Sequence, residues 1–183
     1  LAIGPANDSN WQLSYPFPYT DTRIRRAMHG TGRGLYRCIE SDNGVPYESN
    51  VADDAVQTLG DLLDALYPGS KNYAYLKFVV TKEGVARYFE YRIAELAARD
   101  YHPTPAYASL DGAGAFTRAW ESYYKPMPFQ IKQLGNVSQS RNEFYNFGLG
   151  MALVLDRIEP DWQKKYFDAG VWLDDLLHDA TRR

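Results

Sequence analysis

The stretch that most limits what this chain can become runs from about Tyr73 to Tyr101. It reads as one long helix set between two groups of breakers, Pro68-Gly69 before it and His102-Pro103-Thr104-Pro105 after it. Proline has no amide hydrogen to donate and its ring clashes with the preceding turn, so two closely spaced prolines end a helix. The flanking sequence repeats the pattern. Asp21 or Thr22 caps a predicted helix in which Ile24, Ala27, Met28, Thr31, Leu35, Cys38 and Ile39 recur at spacings of three and four, with Arg23, Arg26, Arg33 and Arg37 on the opposite face. A second helix is predicted over Val51 to Leu66, with Asp53, Asp54, Asp61 and Asp64 on its wet side.

Beyond the prolines, helices are predicted over Phe116 to Tyr124, Arg141 to Leu155, Asp161 to Phe167 and Leu173 to Ala180. The expected fold is therefore mainly α. An α+β variant arises only from a minor N-terminal strand at Trp11 to Tyr15, inside an extended lead-in over residues 1–20. Residues 1–183 are read as a single domain: the lead-in, a helical part over 21–101, and a C-terminal helical part over 106–183. Gly30, Gly32 and Gly34 are a local cost to the first long helix of about 1 kcal/mol each relative to alanine, so close packing must offset them or the helix must be irregular.

The charge balance excludes some classes of partner. Twenty basic and 23 acidic residues leave a net charge of −3 with no basic stripe, which argues against nucleic acid. Apolar runs such as Gly148 to Leu155 are far shorter than the roughly 20 residues that span a bilayer, so no transmembrane segment is expected. The single cysteine, Cys38, rules out an internal disulfide framework and a multi-cysteine metal site. The first residue is leucine, which leaves compartment open, with a secreted, periplasmic or processed chain among the readings, and oligomeric state is not legible. Asn7-Asp8-Ser9 and Asn136-Val137-Ser138 match the N-glycosylation triplet, a short pattern that chance often supplies.

Chemistry concentrates in Glu83-Gly84-Val85-Ala86-Arg87-Tyr88-Phe89-Glu90. Glu83, Arg87 and Glu90 stand at i, i+4 and i+7 and share one helix face. Taken alone, this is an intrahelical ion-pair ladder worth about 0.2–0.5 kcal/mol per pair. Arg141 and Tyr145 are one turn apart on a later helix, where both can point into a cleft and bind a carboxylate or carbonyl of a ligand, though for Tyr145 a core aromatic with a satisfied hydroxyl is the favoured reading.

The Glu-Gly-x-Ala-Arg-Tyr run resembles the glutamate helix of the gluzincin metallopeptidases, and Phe144 to Arg157 followed by Pro160-Asp161-Trp162 is similar to closing helices of gluzincin-like families. The resemblance covers roughly residues 20 to 178. It implies Glu83 as the third zinc ligand and an upstream His-Glu-x-x-His helix, whose histidines bind zinc and whose glutamate activates water. The only upstream histidine is His29, in His29-Gly30-Thr31-Gly32-Arg33, with Gly30 where the general base would stand and Arg33 where the second histidine would stand. Glycine accepts no proton, and a guanidinium offers no lone pair to a metal.

The preferred expectation is a metallopeptidase-like domain without its catalysis, acting as a binding or structural module. It has a groove for a peptide or protein ligand lined from Arg33, Arg87, Glu90, Arg141 and Tyr145, with Arg33 in the place of the cation beside Glu83. No cofactor is expected under that reading. One alternative is an active zinc-dependent hydrolase in which His29, Glu83 and an unrecognised third group hold the metal. Another is a fragment of a larger enzyme.

Overall fold

The computed structural model describes residues 11–41, 49–136 and 140–182, without the side chains of 49–54 and 116. The Asn7-Asp8-Ser9 triplet, the beginning of the lead-in, residues 42–48, and Val137-Ser138 of the second triplet lie outside the described residues. The chain is mainly helical, and among the described residues there is no strand. Where the expectation placed a strand, Trp11–Ser14 forms a single helical turn, α1. Among the described residues no strand is present to supply ladder partners, and the turn closes on itself, Ser14 Oγ donating to the Trp11 carbonyl.

Helix α2 (Thr22–Glu40) begins where Asp21 caps it, the carboxylate accepting from the Arg23 amide at 2.8 Å and the Ile24 amide at 3.2 Å. It stays helical through its three glycines because two of them let neighbouring elements come very close. A Cβ on Gly32 would lie 2.3 Å from the Ile131 carbonyl oxygen, and one on Gly34 would lie 3.0 Å from Ala55 Cα. Helix α3 (Ser49–Ala65) packs along α2 and ends before Tyr67, whose φ is 60°. Ser70 then caps α4 (Lys71–Asp100), its hydroxyl accepting from the Tyr73 amide, which starts the long helix two residues before the predicted point.

After the prolines come α5 (Pro105–Ala108) and α6 (Ala115–Ala119), which runs on into one π-helical turn, Trp120–Tyr124. Helix α7 (Met127–Ile131) leads to a turn at 132–136 in which Gly135 has φ 77°. Gly135 is held from both sides: its amide donates to Glu143 Oε2 at 2.6 Å and its carbonyl accepts from Arg25 Nε at 2.8 Å. Helix α8 (Asn142–Ile158) is buried from Phe147 to Leu155 without a break, as expected of a helix apolar on every side. It packs against α2, α4, α7 and, with the chain's last segments α9 (Trp162–Ala169) and α10 (Leu173–Thr181), against α10.

The Leu155 to Trp162 stretch is the corner that joins these helices. Asp156 accepts hydrogen bonds from Tyr88 Oη at 2.8 Å, Trp162 Nε1 at 2.9 Å and Arg92 Nε at 3.2 Å, linking α8 to α4 and α9. Its neighbour Arg157 donates to the Cys38 and Ile39 carbonyls at the end of α2, groups that would otherwise lack helical partners. Arg157→Met is expected to cost about 1–3 kcal/mol through those lost charged hydrogen bonds, read as a lower urea midpoint with an unchanged slope.

Candidate functional site

The α4–α8 crossing sets the site, and its closeness rests on two glycines. A Cβ on Gly84 would stand 2.4 Å from Gly148 Cα, and one on Gly148 would stand 2.3 Å from the Val80 carbonyl oxygen. The two backbones therefore touch, and the polar face of α4 that begins at Glu83, next to Gly84, and continues through Arg87 is drawn to the start of α8. There Glu83 of α4 meets Arg141, the residue before α8, and one turn on Arg87, paired with Glu90, meets Tyr145 of α8, so five of the residues singled out by sequence gather along one seam.

Within it, Arg141 grips Glu83 with two N–H groups, Nε donating to Oε2 at 3.0 Å and Nη2 pairing with Oε1. Such fork-on-carboxylate geometry is among the stronger charged hydrogen bonds. The third arm, Nη1, donates to the Gln12 carbonyl at 2.8 Å, and Tyr75 Oη donates to the same oxygen at 3.0 Å. Both side chains of the pair are mostly buried, at 16% exposure for Arg141 and 22% for Glu83. One turn on, Arg87 pairs with Glu90 Oε2 at 2.9 Å, donates to Tyr123 Oη at 3.2 Å, and lies over the Tyr145 ring with 5.6 Å to its centroid. The expected Glu83–Arg87 ladder is thus divided: Arg87 turns to Glu90, and Glu83 turns across to α8.

The lead-in completes the surface. Trp11 packs edge-on to Tyr75, Tyr15 stacks on Tyr75 at 4.3 Å between centroids, and the buried Phe17 packs edge-on to Phe144. Tyr15 Oη also donates to Asn72 Oδ1 at 2.8 Å. Burial, with the Tyr75 hydroxyl beside it, pushes the Tyr19 phenol well above its usual range, so it is neutral at ordinary pH and supplies no base.

Residues of the His29 to Arg33 segment are placed elsewhere. The His29 ring sits against the 132–136 turn, Nδ1 3.2 Å from the Leu134 carbonyl oxygen and 2.9 Å from Asn136 Nδ2. Gly30 faces Thr58 of α3, and Arg33 is exposed. The expected guanidinium beside Glu83 is present, but it is Arg141 and not Arg33. The reason is packing: α2 lies chiefly on α3, whereas α4 lies chiefly on α8. A zinc ion does not fit this donor set, since both Glu83 oxygens are engaged by a permanent cation and His29 answers to a different loop. Among the described residues no group of three or more His, Cys, Asp or Glu side chains is arranged to hold a metal ion. Cys38 is fully buried. No helix among the described residues is long and apolar enough to cross a membrane.

Sequence reasoning missed Gln12, Tyr75 and Tyr123. Gln12 contributes only its carbonyl, which no side-chain pattern reveals, and the two tyrosines read as ordinary aromatics of amphipathic helices. No family model matches the chain, and neither a curated protein nor a solved structure matches it.

Proposed function

We propose that this chain is a metallopeptidase-like helical domain that works as a binding module, holding a short aromatic peptide segment on the surface formed by α4 and the start of α8. The observation that carries the reading is Arg141: its guanidinium engages the one carboxylate that zinc chemistry would need, and it offers its remaining arm to a main-chain carbonyl. A guanidinium for a carbonyl, flanked by aromatic rings for side chains, is the chemistry of peptide recognition. The chain's own residues 11–19 occupy it, with Gln12 on Arg141 and Trp11, Tyr15 and Phe17 on the rings.

The test uses the full chain carrying Trp11→Ala and Phe17→Ala, which loosens its own segment. A synthetic peptide of residues 11–19 is expected to bind it saturably and raise its melting temperature, and adding Arg141→Met is expected to remove that rise. The same protein should melt at one temperature with zinc or with chelator and leave casein uncut. Stoichiometric zinc whose removal lowers the melting temperature, or casein cleavage abolished by Glu83→Ala, would falsify the proposal in favour of the zinc-hydrolase reading.

A further inference from the structure

Helix α4 is packed on part of its girth. Gly84, Val85, Tyr88 and Tyr91 are buried, Gly84 on α8 and Tyr91 against the Trp120 ring. On the opposite side, Lys82, Ala86, Ile93, Leu96 and Asp100 are exposed among the described residues. Ala86, Phe89, Ile93 and Leu96 follow one another at steps of three, four and three, the spacing of a coiled-coil seam. Ile93 is 64% exposed and Leu96 47%. Phe89 is partly covered by Phe167, with 6.0 Å between centroids, and Phe167 is itself 65% exposed. From Lys82 to Asp100 the face runs about 27 Å at 1.5 Å per residue. A contiguous apolar stripe of that kind, unlike single apolar residues scattered over a surface, marks a contact between chains.

The charges at its two ends identify what covers it. Lys82 continues the spacing at one end and Asp100 at the other. Among the described residues no carboxylate pairs with Lys82, whose ammonium lies over the Tyr166 ring, 5.5 Å from its centroid. Asp100 pairs with its exposed neighbour Arg99, a contact of little worth, and a negative group on the last residue of a helix opposes the macrodipole. When a second copy is turned by 180° about an axis level with Tyr91, the stripe matches itself. Lys82 falls opposite Asp100, Ala86 opposite Leu96, and Phe89 opposite Ile93, each pair occurring twice. Small residues then meet large ones, and a lysine at each end reaches a carboxylate on a helix C-terminus. Parallel packing would set Lys82 on Lys82 and Asp100 on Asp100, and a foreign partner gives no reason for the self-match. Beside the axis Glu90 and Arg92 meet their own copies, but each is already paired within its chain, Glu90 with Arg87 and Arg92 with Glu95 and Asp156.

We propose that α4 is a dimerisation helix, on which two copies of this chain pack antiparallel along Ala86, Phe89, Ile93 and Leu96 and are closed at each end by a Lys82–Asp100 pair. The interface goes beyond the peptide-binding reading and does not rest on it. A single two-helix seam buries less than the roughly 800 Å² per partner of a standard interface, so the dimer is expected to be reversible, with a Kd on the order of tens of micromolar.

Sedimentation equilibrium of the full chain from about 5 μM to about 1 mM is expected to show the mass rising from one chain towards two. Ile93→Glu places a charge inside the seam and is expected to weaken association by about tenfold or more. Lys82→Glu leaves two acids facing at each end, and Asp100→Lys leaves two bases, so each alone is expected to weaken association by about tenfold. An equimolar mixture of those two variants is expected to regain the parental association as a heterodimer, because every end then sets an acid against a base. All three positions are exposed, so each variant should keep the parental melt at low concentration, where the chain is monomeric. A parent chain that stays monomeric throughout overturns the proposal and leaves the stripe to a foreign partner or to none. A dimer that Ile93→Glu does not weaken overturns it by placing the interface elsewhere. Failure of the mixture to regain association overturns the antiparallel pairing of Lys82 with Asp100.

Discussion

Gly148→Val is expected to lower the melting temperature by about 6–12 °C, from a loss of about 3 kcal/mol by overpacking in a chain of this size. The added Cβ would lie 2.3 Å from the Val80 carbonyl oxygen and 2.4 Å from Gly84 Cα, and both are backbone atoms that no rotamer change can move aside. Relief requires α4 and α8 to separate. Gly84→Ala meets the same obstacle from the other helix, its Cβ 2.4 Å from Gly148 Cα. The contrast that makes the result informative is Gly60→Ala, on a helix face where a Cβ meets nothing within 4 Å. There the better helix propensity of alanine should raise stability by up to about 1 kcal/mol. Circular dichroism melts of the three variants decide it: if Gly148→Val melts with the parent, the helices do not touch as described.

The second large effect is at the Glu83–Arg141 pair. Arg141→Met removes the fork from a mostly buried carboxylate and leaves the Gln12 carbonyl with Tyr75 as its remaining partner, at a cost of about 3 kcal/mol. Glu83→Met leaves a mostly buried guanidinium short of acceptors and should cost a similar amount. Removing both charges leaves two apolar side chains of similar length facing each other. The double variant is therefore expected to lose less than the sum of the single losses by at least about 1 kcal/mol, the signature of direct coupling. Urea unfolding of the four proteins closes the cycle. Additive losses would mean that Arg141 is not the group that holds Glu83, and the binding surface proposed for α4 and α8 would lose its anchor.

Legibility in the sequence varied with how local the deciding interaction was. The long helix was legible because its limits are set by nearby groups, Pro68-Gly69 before it and two prolines after it, while the Ser70 cap that starts it at Lys71 was not read from the sequence. The cluster of Glu83, Arg87, Glu90, Arg141 and Tyr145 was legible as two helix faces, since residues three or four apart must share a side. Which of those residues would pair was not. Arg87 had Glu83 and Glu90 equally within reach on its own helix, and the choice of Glu90 follows from Arg141 arriving across the crossing to claim Glu83. The Asp156 corner was visible as a Leu-Asp-Arg to Pro-Asp-Trp pattern, but its donors Tyr88 and Arg92 come from a helix more than sixty residues away in sequence.

The pentapeptide His29 to Arg33 marks the same boundary. That it is helical, with glycines demanding close neighbours, follows from its own residues. Which neighbours come close does not. Placed against α3 and the 132–136 turn, Gly30 faces Thr58, His29 meets Leu134 and Asn136, and Arg33 remains exposed. The sequence by itself determined the mainly helical composition, the helix limits and the residues sharing each helix face, because capping, proline geometry and the 3.6-residue period act within a few residues. Only the tertiary structure decided that α4 lies on α8 and that Arg141 is the cation beside Glu83. Those outcomes depend on which backbones can approach within contact, and that is set by glycines more than sixty residues apart, Gly84 and Gly148.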